Sequence, residues 1–241
     1  MNDEGQFLER FRSLSRDMQN GIQNLQKFLK KPLHDMSEKE YMSANATLDE
    51  ISDVWSDFVG WVLIGTLDDL EDAKKNCAPG RIDIQSKLTR EKKKKHSLLL
   101  TKGVKLDITN TQSLVIETYI QYFEQLIDLL LSNAIKYSAK AGSVEVTSSK
   151  SSTGVKLQID SIGPLVAKAE VGRIGEKGFR SDAAKKLHVQ GQGVGLFNAK
   201  RLAQLLGATI DFRPGSKVLF DSSGVPFASF SVLISFPESP V

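Results

Sequence analysis

Apolar residues at Tyr41, Ala44, Leu48, Ile51, Trp55, Phe58 and Val62 follow one another in steps of three and four without a break. That is the spacing of a coiled-coil seam, so the stretch reads as a helix that buries one narrow stripe against other helices. A similar stripe precedes it, through Leu8, Phe11, Leu14, Met18, Ile22, Leu25 and Leu29, and Pro32 ends that helix. Ser37, with Glu40 three residues later, has the spacing of a capping box for the start of the second helix. A hairpin of two such helices has an apolar face that it cannot bury by itself. Pairing of two copies into a dimeric four-helix bundle is the expected remedy.

The heptad pattern stops at Ala78, Pro79 and Gly80. We therefore expect a helical hairpin over residues 1–78 and a second domain over 79–241. In the second part strands alternate with helices, which predicts an α+β chain overall. Strands are expected at Val104–Ile108, Ser143–Thr147, Val155–Ile159, Ala208–Phe212 and Phe227–Phe236, the last alternating through Phe230, Val232, Ile234 and Phe236. Helices are expected at Ile82–Lys95, Ser113–Tyr137 and Gly195–Leu206, with Gly207 as a stop for the third.

Composition narrows the classes of function. The apolar share of 40% and charged share of 25% are those of an ordinary globular protein, which excludes a disordered or disulfide-framed chain. A net charge of +3 is too slight to point to nucleic acid, and the basic run Lys92–Lys95 has no aromatic residues interleaved, so it reads as a solvated helix face. The single cysteine, Cys77, can form no internal disulfide and has no metal-ligand spacing around it. The longest apolar run, Phe58–Gly65, falls far short of the roughly 18 residues a bilayer span needs, and the polar start MNDEGQ is not a signal peptide. No membrane segment and a cytoplasmic location are expected.

Two segments carry candidate chemistry. In GQGVGL, Gly191, Gly193 and Gly195 alternate and lead directly into a helix, so free backbone amides and the positive helix end could meet a phosphate. A glycine turn that caps a helix for steric reasons has the same pattern. In LIDLLLSNAIKYS, Asn133, Lys136 and Tyr137 lie three and four residues apart and share one helix face. An amide oxygen suits a hard cation such as magnesium, which in turn bridges phosphates. A polar stripe on a half-buried helix is the structural alternative.

Taken together and in this order, the segments resemble the ATP-binding domain shared by histidine kinases, gyrase, the Hsp90 chaperones and MutL, most closely its histidine-kinase branch. LLSNAIKYS is similar to the asparagine box of that branch, and GEKGFRSD, Gly175–Asp182, to the family's mobile lid. GQGVGL is similar to its second glycine box, and IDSIGPLV, Ile159–Val166, stands where the first belongs. The resemblance implies an α/β sandwich that binds ATP and magnesium. It implies that Asn133 holds the metal, that Lys136 and the helix start at Gly191, Gly193, Gly195 and Leu196 face the phosphates, and that Arg180 reaches over them from the lid. Tyr137 would flank the nucleotide; Ser161 would stand for the residue that reads adenine, Gly163 for the first glycine of its box, and Leu165 for the second. The hairpin would be the dimerisation and phosphotransfer module.

Departures from the family pattern concern the chemistry. SRDMQNGIQ, Ser15–Gln23, resembles the phosphoacceptor box, but Arg16 takes the place of the histidine, with Asp17 beside it, and Gly21 takes the place of the usual proline. Arg16 lies about 200° around the helix from Leu14 and Met18, on the outward face. A guanidinium stays protonated and has no lone pair for attack on a γ-phosphate. Autophosphorylation at that place is expected to be absent, and no catalytic residue is assigned. Leu129, one turn before Asn133, stands where the family carries an asparagine or a catalytic glutamate, and it can neither accept a proton nor orient water. Asp128 is expected to face solvent. Ser161 replaces a charged acceptor, a loss of about 1.5–3 kcal/mol, or about tenfold to more than a hundredfold in affinity. Asp160 is expected on the other side of its strand. His34, His96 and His188 read as surface or loop residues.

The expectation is a cytosolic histidine-kinase-like signalling protein, dimeric and degenerate in its kinase chemistry, that regulates a response regulator or another kinase. Two other readings stay open at this point. One is an active kinase that phosphorylates a partner's histidine in trans; the other is a phosphotransfer protein with a vestigial ATP domain.

Overall fold

The computed structural model describes residues 18–26, 37–41, 43–44, 47–48, 51, 62, 64–65, 67, 70–75, 78–109, 113–187 and 193–238. The chain divides into two compact units, Met1–Gly65 and Thr66–Val241.

In the first unit, residues 18–26 are helical, as are 38–41, 43–44, 47–48, 51, 62 and 64–65. The capping box at Ser37 forms. The Glu40 carboxylate accepts from the Ser37 N–H at 3.0 Å and from its hydroxyl at 2.8 Å, and the Glu40 N–H donates to Ser37 Oγ at 3.3 Å. Gly21 is buried, and a Cβ placed there would come within 2.5 Å of Ile51 Cγ1, so the helix over 18–26 lies close against the segment that holds Ile51. Ile22, Tyr41, Leu48 and Val62, all members of the predicted stripes, are between 41% and 49% exposed. Arg16, Asp17, Pro32, His34, Trp55 and Phe58 lie outside the described residues.

The second unit begins earlier than the expected boundary between 78 and 79. Its first helix, α1 (Leu70–Lys75), is tied into it: Ala73 is buried, and its carbonyl accepts from the Tyr122 hydroxyl at 3.4 Å. Strand β1 (Gly80–Asp83) follows. Asp83 then caps helix α2 (Ile84–Lys94) by accepting from the Ser86 N–H at 2.7 Å. The helix therefore starts at Ile84 rather than at Ile82. Helix α3 (His96–Lys102) ends at Gly103, whose φ of 64° is the left-handed conformation of a helix stop.

Strand β2 (Lys105–Thr109) comes next, followed by β3 (Val115–Thr118), helix α4 (Ile120–Tyr137), β4 (Ser143–Ser151) and β5 (Gly154–Pro164). A short 3₁₀ turn at Lys168–Arg173 and helix α5 (Asp182–Lys186) precede helix α6 (Gly195–Leu205). Strands β6 (Thr209–Pro214), β7 (Phe220–Ser222) and β8 (Val225–Pro237) complete the chain.

The single helix expected over Ser113–Tyr137 is corrected by the structure: its first part is β3. Ile116 and Thr118 are buried while Val115 and Glu117 are exposed, a period of two, and the strand pairs antiparallel with β1. The five predicted strands are present, several of them longer than expected, in a mixed sheet of order β2-β4-β5-β8-β6, with β7 paired to β8. Only the β2–β4 pair is parallel.

One face of that sheet is the core. Val144, Val146, Val155, Leu157, Ile159, Ile234 and Phe236 are buried, and so are Phe123, Leu126, Ile127, Leu130 and Leu131 of α4 and Ala199, Leu202 and Ala203 of α6. The rings of Phe123 and Phe236 meet at 5.2 Å between centroids. The opposite face carries the alternate side chains of the strands; Thr147, Gln158, Asp211, Arg213 and Ser235 line an open groove of about 350 Å³ there. The second unit is an α+β domain of two layers.

The basic run is engaged rather than wholly solvated. Lys94 Nζ donates to Glu91 at 2.7 Å, and Lys95 pairs with Asp128 of α4, so Asp128 faces α2 and not open solvent. Glu91 is buried, with one carboxylate oxygen lacking a hydrogen bond. Burial raises its carboxyl above the ordinary value, offset in part by Lys94. A raised folded-state pKa stabilises below the unfolded value and loses that contribution as pH rises through the folded one. Denaturant midpoints of the unaltered chain should therefore fall between about pH 4.5 and neutrality by more than those of Glu91→Gln, and equal slopes would contradict this assignment.

Candidate functional site

Helices α4 and α6 pack against one another, and their polar ends meet. Asn133 and Lys136 lie in the last two turns of α4, and α6 opens at Gly195. A Cβ built on Gly195 would have the Asn133 amide oxygen, at 4.0 Å, as its nearest neighbour. The amide oxygen thus faces the first residue of α6. That helix start has no side-chain cap and no acidic residue in its first turn, so its leading N–H groups and its positive end are left for another acceptor.

Gly193 is needed for its conformation. Its φ is 72°, and a Cβ there would come within 2.6 Å of the Gly178 carbonyl carbon and 2.7 Å of the Phe179 carbonyl oxygen. The Gly178 N–H donates to the Gly193 carbonyl at 3.1 Å. The glycine turn and the GEKGFRSD segment are therefore in backbone contact, which no side chain at 193 would permit. Lys200 of α6 holds the start of the same segment, donating to the Ile174 carbonyl at 2.8 Å. At the far end, Glu170 accepts from the Asp182 N–H at 2.9 Å.

Positive charge gathers at the end of α4. Lys136 is held below its ordinary pKa, first by burial and then by the charges of Arg180 and Lys102. Burial lowers Lys102 as well. Among the described residues no carboxylate offsets the charge at Lys136. Its ammonium stands 5.7 Å from the centre of the Tyr137 ring. Arg180 is half-buried and donates to the Ala184 carbonyl at 2.9 Å.

The remaining predicted positions fall as follows. Ser161 lies on β5 on the helix-covered side, in register with Val144 and Phe230, and its hydroxyl donates to the Phe230 carbonyl at 3.3 Å. Asp160 points to the opposite side, where its two oxygens accept from Gln158 at 2.7 Å and Ser231 at 2.5 Å. Gly163 is buried, and its nearest neighbours are the Tyr137 carbonyl oxygen and Cβ, 3.8 Å and 4.0 Å from a Cβ built there. The Leu165 N–H is taken by the Pro226 carbonyl at 2.8 Å, so the first glycine box continues the sheet. Leu129 and Leu196 are half-buried. Gly191 and His188 lie outside the described residues, and His96 is exposed at the start of α3.

Asn133, Gly195, Lys136 and Arg180 are thus gathered at the meeting of α4 and α6, and Tyr137 and Gly163 adjoin them. Lys102 belongs to the same cluster and was not visible in the sequence, because its contact spans 34 residues and ends on a backbone carbonyl. Among the described residues no group of three or more His, Cys, Asp or Glu could hold a metal ion.

A mixed sheet covered on one face by helices thus brings an asparagine-bearing helix to a glycine-opened helix beside Lys136 and Arg180. Residues 119–225 match the family model for histidine kinase-, DNA gyrase B- and HSP90-like ATPases. That stretch, somewhat under half of the chain, is similar to the ATPase domain of that family. Sensor histidine kinase YkoH of Bacillus subtilis is 28% identical over 109 residues, 44% of this chain and 24% of that protein. Sensor protein BceS of the same organism is 32% identical over 131 residues, 54% of this chain and 38% of that protein. The matches thus span well under half the length of either relative. Among solved structures, Acinetobacter baumannii histidine kinase AdeS shares the fold at a TM-score of 0.53 and 18% identity, over 94% of this chain and 96% of that one. No described helix is long and apolar enough to cross a membrane.

Gly193→Ala forces a Cβ into the Gly178–Phe179 backbone at a positive φ. We expect a loss of roughly 1–3 kcal/mol in unfolding free energy and faster amide exchange at Gly178; unchanged exchange there would show that the contact is dispensable.

Proposed function

We propose that this chain is a cytoplasmic histidine-kinase-like signalling protein of the two-component type that binds ATP with magnesium but does not phosphorylate itself. It acts as a pseudokinase, dimerising through its first unit and regulating a partner, either a response regulator or another kinase. The observation that carries the reading is the approach of Asn133 to the uncapped start of α6 beside Lys136 and Arg180. An amide oxygen, helix-end amides without a side-chain cap and a pair of cations are the complement of a metal-bound polyphosphate.

In this reading Asn133 holds magnesium, and the turn at Gly191, Gly193, Gly195 and Leu196 receives the phosphates. Lys136 and Arg180 neutralise the phosphates, and Tyr137, Ser161 and Gly163 border the base. When bound, ATP supplies the transferable γ-phosphoryl group. The chain's own residues orient the phosphates and screen their charge. Leu129 occupies the turn before Asn133 and offers no proton acceptor. Arg16, in place of the phosphoacceptor histidine, has no lone pair to attack with.

Incubation of the purified chain with γ-labelled ATP and magnesium should leave it unlabelled, while Asn133→Ala should weaken magnesium-ATP binding by about tenfold or more, read by calorimetry. Acid-labile label on the chain would refute the pseudokinase reading, and full affinity in the variant would remove Asn133 from the site.

The dimer is supported by the exposed stripe of the first unit, where Tyr41, Leu48 and Val62 are spaced by multiples of seven residues. Leu48→Lys should shift the chain toward the monomer in sedimentation; an unchanged dimer would place the interface elsewhere. The cation cluster also favours a second reading, an active kinase acting in trans, for which label on a histidine of an added partner is the mark.

A further inference from the structure

Lys102 closes α3, far from the motifs that define the site, yet its ammonium donates to the main-chain carbonyl of Lys136 at 2.5 Å. That carbonyl is one of the four at the end of α4 that have no partner within the helix. Its neighbour, the Ala134 carbonyl, is satisfied locally by the N–H and hydroxyl of Ser138 at 3.0 Å and 2.8 Å. The Lys136 carbonyl is instead served by a side chain from another helix.

Closing a helix needs only a hydrogen-bond donor. A neutral amide or hydroxyl would do so, and an ammonium adds a favourable interaction with the negative helix end. Here the charge also has a local cost. It adds to the positive charge that Lys136 already meets from Arg180, burial disfavours it, and no carboxylate among the described residues offsets the charge at Lys136. The interaction with the helix end offsets part of that cost, and a strongly anionic ligand would turn the added charge into a clear gain.

We propose that Lys102 is a positioning residue for a polyphosphate ligand, fixing the last turn of α4 that presents Lys136 and Tyr137 and adding a third positive charge to the field that the phosphates meet. This rests on the reading of the site as nucleotide-binding. Donor and charge are separable by substitution. Lys102→Gln keeps an N–H for the Lys136 carbonyl and removes the charge, and Lys102→Arg keeps both.

The test is calorimetric titration of the whole chain and both variants with ATP, ADP and AMP in the presence of magnesium. For Lys102→Gln we expect ATP to bind about five- to tenfold more weakly, ADP to lose less and AMP to be almost unaffected, while Lys102→Arg stays near the unaltered chain. Equal losses for the three nucleotides would reduce Lys102 to a helix cap, and no loss in Lys102→Gln would remove the charge from the argument; either overturns the proposal while leaving nucleotide binding intact. If the unaltered chain binds none of the three, the nucleotide reading itself fails and this inference falls with it.

Discussion

The packing of α4 across α6 sets the position of every other group in the site. Both helices bury one apolar stripe against the same sheet face, and the stripe of α6 is built partly from Ala199 and Ala203. Small side chains there let the two helix backbones approach closely. The consequence appears at their polar ends, where the Asn133 amide oxygen faces the start of α6 with only a glycine's bare Cα between them. Had α6 opened on a side chain, that side chain would project into the space between the amide oxygen and the helix-end N–H groups. The glycine at 195 is thus kept for the volume it leaves free, whereas the one at 193 is kept for its backbone conformation.

Much of this was legible in the sequence because it is periodic or local. The alternation of β8, the capping box at Ser37 and the opposed directions of Asp160 and Ser161 all follow from short-range geometry and appear in the structure. The strand at Val115–Thr118 escaped because its four residues run directly into the longer helical pattern of α4, although the β-branched Val115, Ile116 and Thr118 were the available signal. The helix α1 escaped for a different reason. Its attachment to the second unit is a hydrogen bond from Tyr122 to the Ala73 carbonyl, and a backbone acceptor leaves no trace in residue identity.

The same limit explains Lys102. A motif records side chains that a function requires at fixed spacing, so Asn133, Lys136 and the glycines could be picked out together. Lys102 reaches the site through a carbonyl oxygen, and any residue at 136 would offer one. The sequence shows an unexceptional lysine before a helix-ending glycine. Only the fold brings it beside α4.

The distribution of charge bears on how the site moves. Lys136 and Lys102 belong to the body of the domain, through α4 and α3, while Arg180 sits on the segment tied to the body at Ile174, Gly178 and Asp182. Burial is the larger cause of the depressed pKa of Lys136, and the charge of Arg180, on the other part, lowers it further. An anion placed between them reverses the sign of that interaction, because each cation then attracts the common charge more than it repels the other cations. On the proposed nucleotide-binding reading, ligand binding and the closeness of the Arg180 segment are linked through these charges, without any change in the core beneath them. Such coupling requires no bond to be made or broken. It depends on where the charges lie and not on an acid, a base or a nucleophile elsewhere in the chain.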